Sequence, residues 1–125
     1  MERFGYPDLF LASPDELINA QYADRVHLRP ILDAFIATAT GFGEIIIQVR
    51  KGYVSLRTPR RTFARVQAST KNRIDLALRL NTRRPSRLQP SKIHETTNLQ
   101  VSLTSLEEID AEVIDWLRDA YVQNS

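Results

Sequence analysis

The stretch Arg73–Leu80, with the sequence RIDLALRL, decides the fold class of this 125-residue chain. Its large apolar side chains recur at every second position, which is the period of a β-strand with one buried face. We therefore predict a strand in which Leu76 and Leu78 lie in the core while Arg73 and Arg79 are exposed. An antiparallel sheet with one solvated face has this pattern.

Further segments with a period of two surround this strand: Ile45–Val49, Tyr53–Arg57, Arg61–Ala68 and Asn98–Thr104. Short turns separate the first four strands and no helix alternates with them, so the predicted sheet is antiparallel. In the third segment we place Thr62, Ala64 and Val66 inward, and Arg61, Phe63, Arg65 and Gln67 outward. The opposite phase would put Phe63 in the core. Because it is polar and contains two prolines, Asn81–Ser91 is predicted to be a basic loop.

Helices are predicted at both ends of the sheet segment. Ser13-Pro14-Asp15-Glu16 is a capping box that opens a helix ending near Tyr22, and an apolar stripe predicts a second helix over Leu28–Ala39. The glycines of Gly41-Phe42-Gly43 are expected to supply positive φ angles at its end. Ser105 is expected to cap a final helix, whose buried side comprises Leu106, Ile109, Val113, Trp116, Leu117 and Ala120.

The predicted fold class is α+β: an antiparallel β-meander of about five strands with N- and C-terminal helices packed on one face. Residues 1–125 are expected to form a single domain, in which 1–24 is an N-terminal extension with a short helix and 25–125 is the core domain. The length and a 42% hydrophobic composition fit one globular core.

Composition excludes several classes of site. The chain has no cysteine, so disulfides, thiolate zinc sites and a cysteine nucleophile are absent. No apolar run is long enough to span a membrane, and we expect a cytoplasmic protein. His94-Glu95 is the best acid–base candidate, but adjacent residues of an extended segment point to opposite faces. Without a metal-ligand or phosphate-loop motif, we predict no catalytic residues, no metal and no cofactor.

The charge is segregated along the chain. Residues 50–92 contain thirteen Lys or Arg, ten of them Arg, against the single acid Asp75, a local balance of +12 in a chain of net charge +2. Such asymmetry is typical of a surface for anionic partners. The alternative is that the acidic terminal parts neutralise the basic middle within the fold.

The outward sheet face and the basic loop form the predicted binding site. Guanidinium groups among aromatic rings suit the phosphates and bases of single-stranded nucleic acid. The candidate residues for nucleic acid or another polyanion are Tyr53, Arg57, Arg61, Phe63, Arg65, Arg73, Arg79, Arg83, Arg84 and Arg87. The alternative is that these residues only form the polar outer face that any antiparallel sheet needs.

Two further binding functions remain open at this point. One is a protein-interaction module that binds an acidic protein or forms a homodimer. The other is a carrier of a small anion or acidic metabolite, which would line a concave pocket with Arg57, Arg65 and Arg73.

Several segments together resemble a family of small prokaryotic domains of unknown function, some labelled "predicted transport protein": His27–Ile31, Lys51–Leu56, Phe63-Ala64, Arg73–Leu80 and Val101–Tyr121. The resemblance covers about Arg25 to Tyr121. It implies one compact domain with a helix, a β-meander and a closing helix, and it implies no catalytic residue.

Overall fold

The computed structural model describes residues 13–81, 87–94 and 96–125. Within these ranges the helices are α1 (Pro14–Gln21), α2 (Arg29–Thr40) and α3 (Ala111–Gln123). The strands are β1 (Ile46–Val49), β2 (Val54–Arg57), β3 (Thr62–Ala68), β4 (Ile74–Leu78), β5 (Gln89–His94) and β6 (Thr97–Leu103). Short 3₁₀ turns cover Val26–Leu28 and Leu106–Glu108.

The strands form one six-stranded sheet in the order β1-β2-β3-β4-β6-β5, and every pair is antiparallel. The α+β fold is therefore as predicted, with one strand more than the five expected. The additional strand is β5, which begins inside the segment Asn81–Ser91 that we predicted to be a loop. Pro90 suggested a loop because proline cannot donate a ladder hydrogen bond, but an edge strand tolerates it.

The clearest predicted strand, β4, has the predicted phase. Leu76 and Leu78 are fully buried and belong to the hydrophobic core, which also includes Phe35 of α2 and Trp116 of α3. Helix α3 contacts β3 and β4 and also packs against α2. The helices thus cover one face of the sheet, and we call the opposite face the outer face.

A β-bulge changes the environment of Phe63. Leu56 pairs with Ala64 but the next residue, Arg57, pairs with Thr62, so Phe63 is the extra residue of β3. Phe63 is fully buried and meets the ring of Tyr121 edge-on, with 5.5 Å between ring centroids. Its predicted outward placement is wrong, because strict alternation fails where the bulge turns the side chain towards α3.

Helix ends agree with the sequence at α1 and differ at α3. The Ser13–Glu16 capping box opens α1 as predicted. Ser105 caps only the 3₁₀ turn, whereas Asp110 caps α3 by accepting the Val113 N–H at 3.0 Å. Leu106 therefore lies before the helix and is 47% exposed, contrary to its predicted burial.

Of the two glycines after α2, only Gly43 has a positive φ, at 157°. Gly41 is right-handed, with φ −76°, so its predicted conformation is wrong. A Cβ at Gly43 would clash with Tyr121 Oη, so the close approach of this tyrosine requires glycine there.

Candidate functional site

Arg65 lies at the centre of the outer face and is only 7% exposed. Its Nη1 donates hydrogen bonds to Thr96 Oγ1 at 2.9 Å and Thr97 Oγ1 at 3.2 Å, which hold the guanidinium against the sheet. Its guanidinium also lies over the half-buried ring of Tyr53, at 5.6 Å from the centroid. Arg65 and Tyr53 therefore contact each other, and the arginine is largely withdrawn from solvent.

The end of the outer face next to the β3–β4 turn holds a neutralised arginine. Arg73 Nε lies 3.3 Å from Asp75 Oδ1, and the Asp75 carboxylate is only 4% exposed. Ser69 Oγ and Ser102 Oγ each donate to Asp75 at 2.6 Å. We call these four residues the aspartate cluster; its buried charge is paired and hydrogen-bonded.

Arg87 lies against the start of α3. Its Nη2 is 3.1 Å from Asp110 Oδ1, its Nε is 3.4 Å from Glu112 Oε1, and its guanidinium lies over the Trp116 ring. The acidic helix neutralises this part of the basic segment, as expected if the acidic terminal parts neutralise the basic middle within the fold. The candidates Arg83 and Arg84, like Glu95, lie outside the described residues.

At the other end of the outer face, Arg61 and Arg79 line an open cleft of about 790 Å³. We call it the arginine cleft; its remaining lining residues are Leu80, Asn81, Thr96, Asn98, Gln123 and Asn124. It lies where the turn after β2, the end of β4, the start of β6 and the C-terminus of α3 meet. Its volume falls within the usual range for small-molecule sites, roughly 300–1,000 Å³.

Hydrogen bonds between α3 and the sheet hold this cleft in shape. Thr58 Oγ1, in the turn after β2, donates to the Asn124 carbonyl at 2.7 Å. Asn124 Nδ2 donates to the Arg79 carbonyl at 3.0 Å, and Gln123 Oε1 accepts the Asn81 N–H at 2.8 Å. The backbone that carries Arg79 is therefore fixed against the helix end.

The polar groups that remain available in the cleft are mainly donors. Both polar atoms of the Asn98 side chain bind the backbone of Leu80, since its Oδ1 accepts from Leu80 N at 3.0 Å and its Nδ2 donates to Leu80 O at 2.8 Å. Within the described part of the chain, the guanidinium groups of Arg61 and Arg79 have no hydrogen-bond or acidic partner, and Arg61 Nε is buried without an acceptor. The cleft is thus suited to a ligand that supplies acceptors.

The electrostatic environment of Arg61 is cationic. Partial burial lowers the pKa of Arg61 below its ordinary value, and the charges of Arg60 and Arg79 lower it further. Arginine remains protonated in proteins, so the cleft holds two adjacent positive charges. An anion placed between them would relieve their mutual repulsion.

The predicted site therefore divides into separate environments. Arg61 and Arg79 share the cleft, Arg65 is buried between them and the aspartate cluster, and Phe63 is in the core. Arg57 is half-buried near the cleft and donates weakly to the adjacent Thr58 carbonyl at 3.4 Å. The sequence did not identify Gln123 and Asn124 as lining residues, because nothing in the pattern of α3 shows which strand ends it meets.

No cluster of three or more potential metal ligands occurs in the described ranges. Nor does any helix there combine the length and apolar character that crossing a membrane requires.

The comparisons place the chain in a family. Residues 18–124 match a family described as a domain of unknown function, DUF5655, so the chain belongs to this family. The match covers most of the chain and is consistent with the resemblance noted from the sequence. No curated protein and no solved structure shows a significant match.

Proposed function

We propose that this protein is a non-enzymatic anion-binding domain whose ligand occupies the arginine cleft. The observation that carries the proposal is that Arg61 and Arg79 line one polar cleft without an acidic partner in the described part of the chain. Other arginines of the basic segment, Arg73 and Arg87, are paired with carboxylates. This is the small-anion alternative, with Arg61 and Arg79 in place of the Arg57, Arg65 and Arg73 expected from the sequence.

The geometry favours a small anion over the single-stranded nucleic acid that the sequence predicted. Base stacking needs accessible rings, whereas Phe63 is in the core and Tyr53 lies against Arg65. The concave cleft instead offers convergent donors to one anionic group. Binding of a polyanion through the wider basic segment stays a prediction.

A purely structural role for the two arginines is the main competing explanation. The C-terminus of α3 carries a partial negative charge, and cations near it stabilise a helix. That role would make substitutions of Arg61 and Arg79 destabilising, and the native protein would bind no anion there.

Calorimetric titration with inorganic sulfate and phosphate at low ionic strength tests the proposal. We expect saturable one-to-one binding to the native protein and at least about tenfold weaker binding to Arg61→Gln and Arg79→Gln, since each loses charge-assisted hydrogen bonds. Arg50→Gln is the matched control, because Arg50 is an exposed arginine at the opposite end of β2. Equal affinities in all four proteins would contradict the proposal.

A further inference from the structure

We propose, as an extension that rests on the proposed function, that the arginine cleft selects the dianionic terminal phosphate of a phosphomonoester. Carboxylates, sulfate monoesters and the phosphodiesters within a nucleic acid chain carry one negative charge each. A terminal phosphate ester carries close to two at neutral pH. The charge and the donor arrangement of the cleft favour the dianion.

Positive charges surround Arg61. In the described part of the chain, the side chains whose charges act on it are Arg60 and Arg79, and both are cations. A monoanion between Arg61 and Arg79 leaves one positive charge uncompensated in a partly desolvated cleft. A dianion neutralises both, and the low local dielectric enlarges the difference.

The donor arrangement supports the same ligand. Arg61 lines the cleft and its guanidinium has no acceptor in the described part of the chain, so its fork of N–H donors can serve a bidentate contact. Arg79 supplies a second fork from the neighbouring strand. A phosphate monoester has three terminal oxygens and can engage both forks, whereas a carboxylate has only two oxygens.

The size of the cleft indicates that the phosphate belongs to a larger molecule. A volume of about 790 Å³ exceeds what one phosphate group fills, which leaves space for the attached alcohol. The side-chain amide of Asn81 and the Nε2 of Gln123 line that space and make no hydrogen bond among the described residues. They can hydrogen-bond to hydroxyl or carbonyl groups of the esterified portion.

Methyl phosphate and methyl sulfate are isosteric probes that differ by one charge near neutral pH. At pH 7.5 we expect methyl phosphate to bind at least about tenfold more tightly, because only it can neutralise both arginines. Lowering the pH to 5 protonates most of the phosphate, whose second pKa is about 6, and should weaken its binding about tenfold.

Inorganic sulfate is the control for protein groups that titrate over the same pH range. Of the charged side chains, Arg61 and Arg79 line the cleft and Arg60 acts on Arg61, and these arginines stay charged throughout. The nearest histidine in the strand register is His94, which pairs with Thr97 beside the lining residue Thr96. Sulfate remains a dianion at both pH values, so its affinity should change less than about twofold.

Two sources could provide the terminal phosphate, a small phosphomonoester or the 5′ end of a nucleic acid. Adenosine monophosphate and a matched pair of single-stranded oligonucleotides, with and without a 5′ phosphate, distinguish them. A small-molecule ligand gives equal affinity for the mononucleotide and the phosphorylated oligonucleotide. A nucleic-acid end gives at least about tenfold tighter binding of the phosphorylated oligonucleotide than of either other probe.

Equal binding of methyl phosphate and methyl sulfate at pH 7.5 would overturn dianion selectivity while leaving the anion-binding function standing. Equal binding of the two oligonucleotides, lost in Arg79→Gln, would overturn it in the same way and favour phosphodiester recognition. The absence of binding by sulfate, methyl phosphate and methyl sulfate together would instead refute the proposed function.

Discussion

The arginines at the two ends of the outer face have different partners. At the end before β4, Arg73 meets the buried Asp75, whose two oxygens also accept from Ser69 and Ser102. At the end after β4, Arg79 and Arg61 line the same cleft, and in the described part of the chain the charges that act on Arg61 are both positive. Arg73, just before β4, is thus neutralised by a carboxylate. Arg79, just after β4, has no acidic partner in the described part of the chain.

This contrast separates structural charge from charge available for binding. The aspartate cluster completes its own hydrogen bonds, so its contribution is to folding. Like charges side by side in a partly desolvated cleft oppose folding, and an anion relieves that cost. We therefore propose that the first end contributes to stability and that the second end binds the ligand.

The largest expected difference is between the core residue Leu76 and the cleft residue Arg79. Leu76→Ala should cost roughly 2–5 kcal/mol of unfolding free energy, because Leu76 is fully buried. Arg79→Ala should cost less than about 0.5 kcal/mol, since its side chain has no partner in the described part of the chain. Denaturant unfolding measures both, and similar midpoint shifts would show that Arg79 is structural.

Asp75→Ala should be the next most destabilising change, at about 1–3 kcal/mol, because it removes the two hydrogen bonds that the buried Asp75 carboxylate accepts from Ser69 and Ser102. Arg73→Ala should cost less than about 1 kcal/mol, as its side chain is 46% exposed and solvent screens the pair. Equal losses in the two variants would mean that the ion pair, rather than the serine hydrogen bonds, stabilises this end.

The 3₁₀ turn before α3 contains a carboxylate, Glu108, whose hydrogen bonds make stability depend on pH. Backbone and side-chain hydrogen bonds from Thr104 and the Ser105 N–H lower the pKa of Glu108 below 4.5. A carboxyl whose pKa is lower in the folded state stabilises the fold at any pH above its pKa in the unfolded state. This contribution is lost as the pH falls through its pKa in the folded state. Glu108→Gln should cost less than about 1 kcal/mol at pH 7 and reduce the loss of stability between pH 5 and 3. An unchanged acid slope would contradict this assignment.

The smallest effect concerns the repulsion in the cleft itself. Added sodium chloride should raise the unfolding free energy of the native protein slightly more than that of Arg61→Gln, because salt screens the repulsion between Arg61 and Arg79. Arg50→Gln should respond to salt as the native protein does. If Arg61→Gln shows the larger salt gain, the two cations are not a destabilising pair.

Much of the fold could be predicted because it depends on local chemistry. The alternation in Arg73–Leu80 and the capping box at Ser13 each act within a few residues, and the structure contains both features. The bulge that buries Phe63 could not be predicted, since it depends on how β2 pairs with β3. Strand β5 was missed because Pro90 is acceptable only at the edge, and its edge position is a property of the whole sheet.

The candidate site was predictable in its charge and not in its geometry. The sequence identified Arg61 and Arg79 among the candidate anion-binding residues. It could not show that Arg73 is neutralised by its near neighbour Asp75, or that the C-terminus of α3 meets the end of β4 to form a cleft. That meeting depends on contacts between Thr58 and Asn124, which are 66 residues apart in the chain.

The most direct test follows the arginine Nε–H signals by nuclear magnetic resonance while methyl phosphate is added at pH 7.5. We expect large, saturable shifts for Arg61 and Arg79, with a single affinity, and little change for Arg73 and Arg50. Methyl sulfate should produce weaker shifts at the same two residues. Uniform small shifts in all four arginines, or an unchanged Arg61 signal at saturating ligand, would contradict the assignment of the arginine cleft as the binding site.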